Sequence, residues 1–134
     1  MFLSYLNDSE KEMFLELASQ VARSDGVFCE KEKEMMEIYR KEMNMPENEY
    51  KIKGIGIDHA VSFFSKCPLK IQKYIFIEIG AIIFADGKYH EAEKGIVDVL
   101  KKAFAVSDEK EKEMFDAVNE ITKAYRKMES FIEE

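Results

Sequence analysis

The sequence has few cysteines, prolines and glycines, and it has no long apolar run. Its two cysteines, Cys29 and Cys67, do not make a disulfide framework in a chain of 134 residues. Two prolines and six glycines favour long uninterrupted elements. The most apolar stretch, 74–85, is too short to cross a bilayer and contains Glu78. The first residues lack the basic and apolar regions of a secretory signal. We therefore expect no membrane insertion and a cytoplasmic location.

Positive charge is also in the minority. The formal net charge of -7 argues against a general nucleic-acid binder, which needs a basic surface to displace counterions. The lysines alternate with glutamates, as in 30–34 and 109–113, which favours pairing along helices over a basic stripe. An acidic chain is compatible with cations or with basic partner surfaces.

The motifs of the common enzyme classes are missing as well. The sequence has no nucleophile elbow, phosphate-binding loop, dinucleotide fingerprint or His-Glu-x-x-His pair. Glu91 follows His90 directly, so the Glu-x-x-His motif of di-metal carboxylate enzymes is absent too. We therefore predict a binding or interaction module and not an enzyme.

Apolar residues recur at helical spacing through most of the chain, and no segment alternates as a strand would. The pattern predicts an all-α, single-domain bundle of about six helices over 1–134, with an internal two-fold pseudo-repeat. Ser9, Asp58 and Ser107 are the expected helix caps. Glu78 falls within the most apolar helix, so it must lie at a helix edge or be paired when buried. The helices are expected at about 9–24, 30–43, after Asp58, 69–84, 91–104 and 108–133.

The same short motif occurs twice. Asp25-Gly26 and Asp86-Gly87 each follow an apolar helical pattern, and the second lies 61 positions after the first. At this offset an aromatic pair and two acidic pairs also align: Phe28 with Tyr89, Glu30 with Glu91, and Glu32 with Glu93. Two copies in register predict duplicated helix pairs, repeat one at about 9–45 and repeat two at about 69–105.

Folding requirements account for part of this motif. The glycines suit helix C-caps, and Glu32 and Glu93 are placed to reach back to a helix start, as in a capping box. Asp25 and Asp86 fit less well, since an acid beside a helix C-terminus faces the unfavourable end of the helix dipole. Either local hydrogen bonding in the turn or a bound cation would compensate, and both remain open.

A standard calcium-binding EF-hand is excluded, although the spacing from Gly26 to Glu32 matches one. Its first and third ligand positions would fall on Val21 and Arg23, which offer no side-chain oxygen. A cation site would therefore need acids from both repeats. The four candidate metal ligands are Asp25, Glu32, Asp86 and Glu93.

Four carboxylates would suit a divalent cation such as calcium or magnesium. Cys29 and His90 occupy equivalent positions in the two repeats and would form a softer, zinc-like site. Two ligands fall short of the four that a structural zinc site uses, so zinc is the weaker alternative.

The last predicted helix carries apolar residues that alternate by four and three positions, which is a heptad seam. The seam either packs against its own bundle or forms the interface of a homodimer or of a complex with an unknown protein partner. Its residues are Met114, Val118, Ile121, Tyr125, Met128 and Ile132.

A helix ending in Ala-Asp-Gly, then a short turn and a helix opening with glutamates, is the hallmark of the TerB-like family, named for tellurite-resistance proteins. The segments 84–93 and 23–32 resemble this motif, with Ser24 in place of alanine and with Cys29 and His90 where small polar residues are commoner. The resemblance covers about 9–104. It implies an all-helical bundle with internal pseudosymmetry and a metal site of acidic residues, which would fall on Asp25, Glu32, Asp86 and Glu93.

Members of that family are bacterial or archaeal, mostly cytoplasmic, and linked to tellurite or other stress; similar domains also accompany J-domain co-chaperones. The resemblance thus predicts a stress-associated module that holds a divalent cation through both repeats. The alternative is a metal-free protein-interaction or dimerisation domain that uses the C-terminal heptad helix.

Overall fold

The chain folds into helices, in agreement with the sequence prediction. A computed structural model describes residues 1–23, 30–46, 49–84 and 91–134, with the backbone alone at 30–32 and 92. No strand occurs within these ranges. A short 3-10 turn at Leu3–Tyr5 precedes the helices, which are α1 (Asp8–Ala22), α2 (Glu30–Glu42), α3 (Ile57–Ser65), α4 (Leu69–Ile83), α5 (Glu91–Phe104) and α6 (Asp108–Ile132).

Helices α1 and α4 form the centre of the bundle. Helix α4 packs against α1, α3, α5 and α6, as its nearly continuous apolar sequence predicts. Helix α1 packs against α2, α3 and α4. The helical spacing around α2 predicts Met35, Met36, Tyr39 and Met43 as inward residues. Met36, Tyr39 and Met43 are buried, and Met35 is half-buried. The core is therefore built by the two apolar helices, with the amphipathic helices around them.

The offset of 61 residues recurs in the observed helices. Helix α4 begins and ends 61 positions after α1, and α5 begins 61 positions after α2. Asn44 and Ala105, which follow the second helix of each pair, both have positive φ, at 57° and 54°. In each case the following residue donates its N–H to the carbonyl five positions back, at 2.8 and 2.9 Å. The duplication itself stays a prediction, and these correspondences are what it would require.

Two predicted helix starts are wrong and one is confirmed. Helix α1 begins after Asn7, whose side chain accepts from the Glu10 N–H at 2.9 Å while Glu10 accepts from the Asn7 N–H at 2.8 Å. The capping box thus forms at Asn7, and the expected cap Ser9 lies inside the first turn of the helix. Asp58 is not the cap of α3, which begins after Gly56. Ser107 does cap α6, accepting from the Lys110 N–H at 3.1 Å.

One phenyl ring of α6, that of Phe115, packs closely against α4. Phe115 of α6 stacks on Phe76 with ring centroids 5.2 Å apart and meets the edge of Phe84 at 5.5 Å. Its ring lies over Gly80, where an added Cβ would come within 2.8 Å of it. A residue without a side chain is therefore needed at position 80 for α6 to approach α4 this closely.

Candidate functional site

The predicted cation site falls largely outside the described residues. Asp25 and Asp86 are not described, nor are Cys29 and His90. Glu32 lies in the first turn of α2, where only the backbone is described. Glu93 is buried in the first turn of α5. Within the described ranges no three acidic, histidine or cysteine side chains come together so that they could hold a metal ion. The four-carboxylate site therefore stays a prediction.

Among the described acids, the most fully buried is Glu16, which no sequence motif indicates. Glu16 of α1 has no exposed surface, and its carboxylate accepts the Tyr50 hydroxyl hydrogen bond. The same carboxylate accepts backbone N–H groups of Lys53 at 2.8 Å, Gly54 at 3.1 Å and Ile55 at 3.0 Å. These four donors join α1 to the connection between α2 and α3.

The charge on Glu16 is compensated by these donors. Burial disfavours the carboxylate, but the hydrogen bonds from Tyr50 and from the three backbone N–H groups outweigh it, so the pKa of Glu16 lies below its ordinary value. Burial and the adjacent carboxylate raise the pKa of Tyr50, which keeps its hydroxyl protonated and donating. Glu16 is thus a satisfied structural anchor, with no acceptor capacity aimed at a ligand.

Glu78 is buried and paired, which confirms the second of its two sequence-based alternatives. Its Oε1 accepts the Phe2 N–H at 2.7 Å and lies 3.0 Å from the amino group of Met1. Burial disfavours the charged amine, but the carboxylates of Glu42 and Glu78 outweigh it and raise the pKa of the amine. This acid fastens the first residues onto α4.

Helix α6 is covered along its first half only. Phe115 and Val118 are buried, at 5% and 3% exposure, so the early part of the heptad packs within the bundle. From residue 120 onward every side chain except Thr122 is exposed. The later heptad residues Ile121, Tyr125, Met128 and Ile132 form what we call the α6 seam, and they are between 41% and 76% exposed. Phe131 beside the seam is 75% exposed.

An apolar groove lies next to the covered half of α6. It has a volume of about 560 Å³ and lies between the start of α4, the α5–α6 connection and the start of α6. We call it the α4–α6 groove. Its main apolar residues are Leu69, Phe76, Ile77, Val106 and Met114, and the exposed Lys73 and Lys110 also line it.

One feature of the sequence, independent of the heptad pattern, indicates this groove. Between Asp58 and Glu78 the chain has no acidic residue, although acids outnumber bases overall. Lys66, Lys70 and Lys73 give this stretch a local positive charge in an acidic protein. By contrast, the exposure of the α6 seam could not be read from the sequence, since one heptad pattern runs through both halves of the helix.

No family model, curated protein or solved structure matches the chain. The TerB-like resemblance therefore rests on the motif residues alone and stays a prediction. None of the described helices has the length and apolar character needed to cross a membrane.

Proposed function

We propose that this protein is a self-association module that pairs with a second copy through the exposed second half of α6. The observation that carries the proposal is the exposed α6 seam, continued by Phe131. Scattered exposed apolar residues are normal on protein surfaces, but a contiguous apolar patch marks an interaction site. Here five large apolar side chains share one stretch of a single helix.

The size of this surface fits a small dimer interface. A large apolar side chain presents ~150–250 Å², so at exposures of 41–76% these five leave on the order of 600 Å² in water. The largest apolar patch on an ordinary monomer is about 300–600 Å². Pairing two copies would remove about twice this area, which reaches the lower end of specific interfaces at about 1,200 Å². We expect a dissociation constant on the order of micromolar.

Helix stability points the same way. Most helices in proteins are held by the packing of an apolar face, since short isolated helices are marginal in water. The segment 119–132 is helical but packs against little of its own bundle. A second copy covering the α6 seam would supply the missing packing.

Sedimentation velocity tests the proposal. We expect the protein to sediment as a monomer–dimer mixture at tens of micromolar, and the variant Ile121→Gln/Met128→Gln to sediment as a monomer. Glutamine favours helices about as well as methionine does, so the substitutions remove apolar surface and little helix propensity. A wild-type chain that stays monomeric at these concentrations contradicts the proposal.

A matched control separates loss of the α6 seam from a general effect on the helix. Glu120→Gln/Lys127→Gln alters two exposed residues of the same segment off the seam and leaves the net charge unchanged. This variant should dimerise like the wild type. If it also becomes monomeric, the exposed half of α6 matters as a helix and not through its apolar face.

We propose cation binding as a second candidate function. It is supported by the paired Asp-Gly motifs and by the burial of Glu93 in the first turn of α5. Calcium or magnesium would then bind Asp25, Glu32, Asp86 and Glu93, as in the TerB-like resemblance. Millimolar metal should raise the melting temperature of the wild type and not of Asp25→Asn/Asp86→Asn. An equal melting temperature with and without metal in the wild type would remove this candidate.

A further inference from the structure

We infer that the two copies pair their α6 helices antiparallel, so that the end of each α6 seats in the α4–α6 groove of the other copy. This inference rests on the proposed self-association and specifies its geometry. It joins two apolar surfaces of the same chain, the α6 seam and the α4–α6 groove, which are otherwise both exposed to water.

The described end of α6 cannot reach the groove of its own chain. Met114 lines the groove and Ile132 ends the same continuous helix of 25 residues. At 1.5 Å per residue these two positions lie about 27 Å apart along the helix axis. Bringing Ile132 back to Met114 would require breaking α6, so this end of the helix can reach an α4–α6 groove only in another molecule.

The seam spacing fits an antiparallel pair. If Ile121 of one copy lies opposite Tyr125 of the other, then Met114 falls opposite Ile132 by the same count along both helices. Val118, which falls opposite Met128, is already buried in its own bundle, so the new contacts join Ile121 with Tyr125 and Met114 with Ile132. A two-fold axis makes each of these contacts occur twice, as an isologous interface requires. Since Met114 lines the groove, this register carries Ile132 to the groove of the other copy. In a parallel pair Met114 would face Met114, and both ends would project away from the grooves.

Charge favours the same arrangement. The acid-free stretch between Asp58 and Glu78 brings Lys73 to the groove, and Lys110 of α6 joins it. The end of α6 carries Glu129 and Glu133 beside its apolar residues. Lys110 contacts Glu113 at 3.0 Å, but both partners are more than half exposed, and such a pair holds its lysine weakly. An acidic helix end with an apolar face therefore complements this groove.

Distance measurement between spin labels distinguishes the two orientations. A label at position 134, introduced by Glu134→Cys in a Cys29→Ser/Cys67→Ser background, would sit about 33 Å along the axis from its mate in the antiparallel dimer. We expect a distance of at least about 30 Å from double electron–electron resonance. A distance below about 20 Å would indicate a parallel pair and overturn the inference while leaving self-association intact.

Charge exchange tests the groove contact. Lys73→Glu/Lys110→Glu should raise the dimer dissociation constant about tenfold, as should Glu129→Lys/Glu133→Lys, and combining all four should restore much of the loss. Lys41→Glu/Lys51→Glu, which makes the same charge change at exposed positions on α2 and the α2–α3 connection, is the control and should have little effect.

These experiments distinguish failure of self-association from failure of the antiparallel geometry. A wild-type chain that never dimerises removes both the proposed function and the inference. A wild-type dimer that the groove variants leave unchanged removes the inference alone. Weakening by the groove variants without recovery in the four-residue combination would also contradict the pairing of these charges.

Discussion

Two regions of the molecule invert the usual rule of burial. At Glu16 a carboxylate is fully buried, whereas on the second half of α6 large apolar side chains are exposed. Buried polar groups and exposed apolar patches are the two observations that call for an explanation in a folded protein. In this chain the buried carboxylate has its hydrogen-bond partners, whereas the apolar patch stays exposed.

The cost of burying Glu16 is offset within the chain. Its carboxylate accepts from the Tyr50 hydroxyl and from three backbone N–H groups of the α2–α3 connection. The α6 seam has no comparable cover from the described part of the chain, where its four side chains are between 41% and 76% exposed. Folding therefore explains the buried charge of Glu16, whereas the exposed apolar side chains of α6 are the basis of the proposed pairing.

Replacing a phenylalanine by alanine should have a large effect on stability in the covered half of α6 and a small one in the exposed half. Phe115→Ala should lower the free energy of unfolding by about 3–5 kcal/mol, because it empties the space between Phe76, Phe84 and Gly80. Phe131→Ala should change the stability of the monomer by less than about 0.5 kcal/mol, because its side chain is 75% exposed. Urea denaturation at submicromolar concentration measures both values. Similar losses in the two variants would mean that the second half of α6 is covered within its own chain.

A smaller effect is expected at the buried carboxylate. Glu16→Ala should cost about 2–4 kcal/mol of unfolding free energy, since it strips a charged acceptor from several donors at once. Glu12→Ala, one turn earlier on α1 and only half-buried, is the matched control and should stay within about 0.5 kcal/mol. Dimerisation of folded Glu16→Ala should match the wild type. A dimer lost together with Glu16 would mean that the two regions are coupled and not independent.

Much of this fold could be predicted from the sequence, because helical periodicity is a local signal. The order of the helices, the burial of Met36, Tyr39 and Met43, and the pairing of Glu78 follow from spacing and from the cost of burying an unpaired charge. The start of α1 was misplaced because two capping boxes, at Asn7 and at Ser9, compete within three residues. The role of Glu16 cannot be predicted from the sequence, because its donors lie more than thirty positions away along the chain and no local pattern indicates them.

Acidification should weaken the bundle through Glu16. Its pKa is below the ordinary value in the folded state, so it adds stability at pH above the unfolded pKa of about 4.3. That contribution is lost as the pH falls through the folded pKa. As the pH falls below the unfolded pKa and through the lower folded pKa, the wild type should therefore lose more unfolding free energy than Glu16→Gln. Urea denaturation at each pH measures the unfolding free energy of both proteins. If the two free energies fall in parallel with pH, the donors around Glu16 do not stabilise its charged form.

Hydrogen exchange measured as a function of protein concentration is the most direct test of self-association through the α6 seam. If the second half of α6 pairs with another copy, amide protection over 121–132 should rise from about 1 µM to about 100 µM, while protection over α1 (Asp8–Ala22) stays constant because that helix packs within its own bundle. Protection of 121–132 that does not change over this range would contradict self-association through the α6 seam.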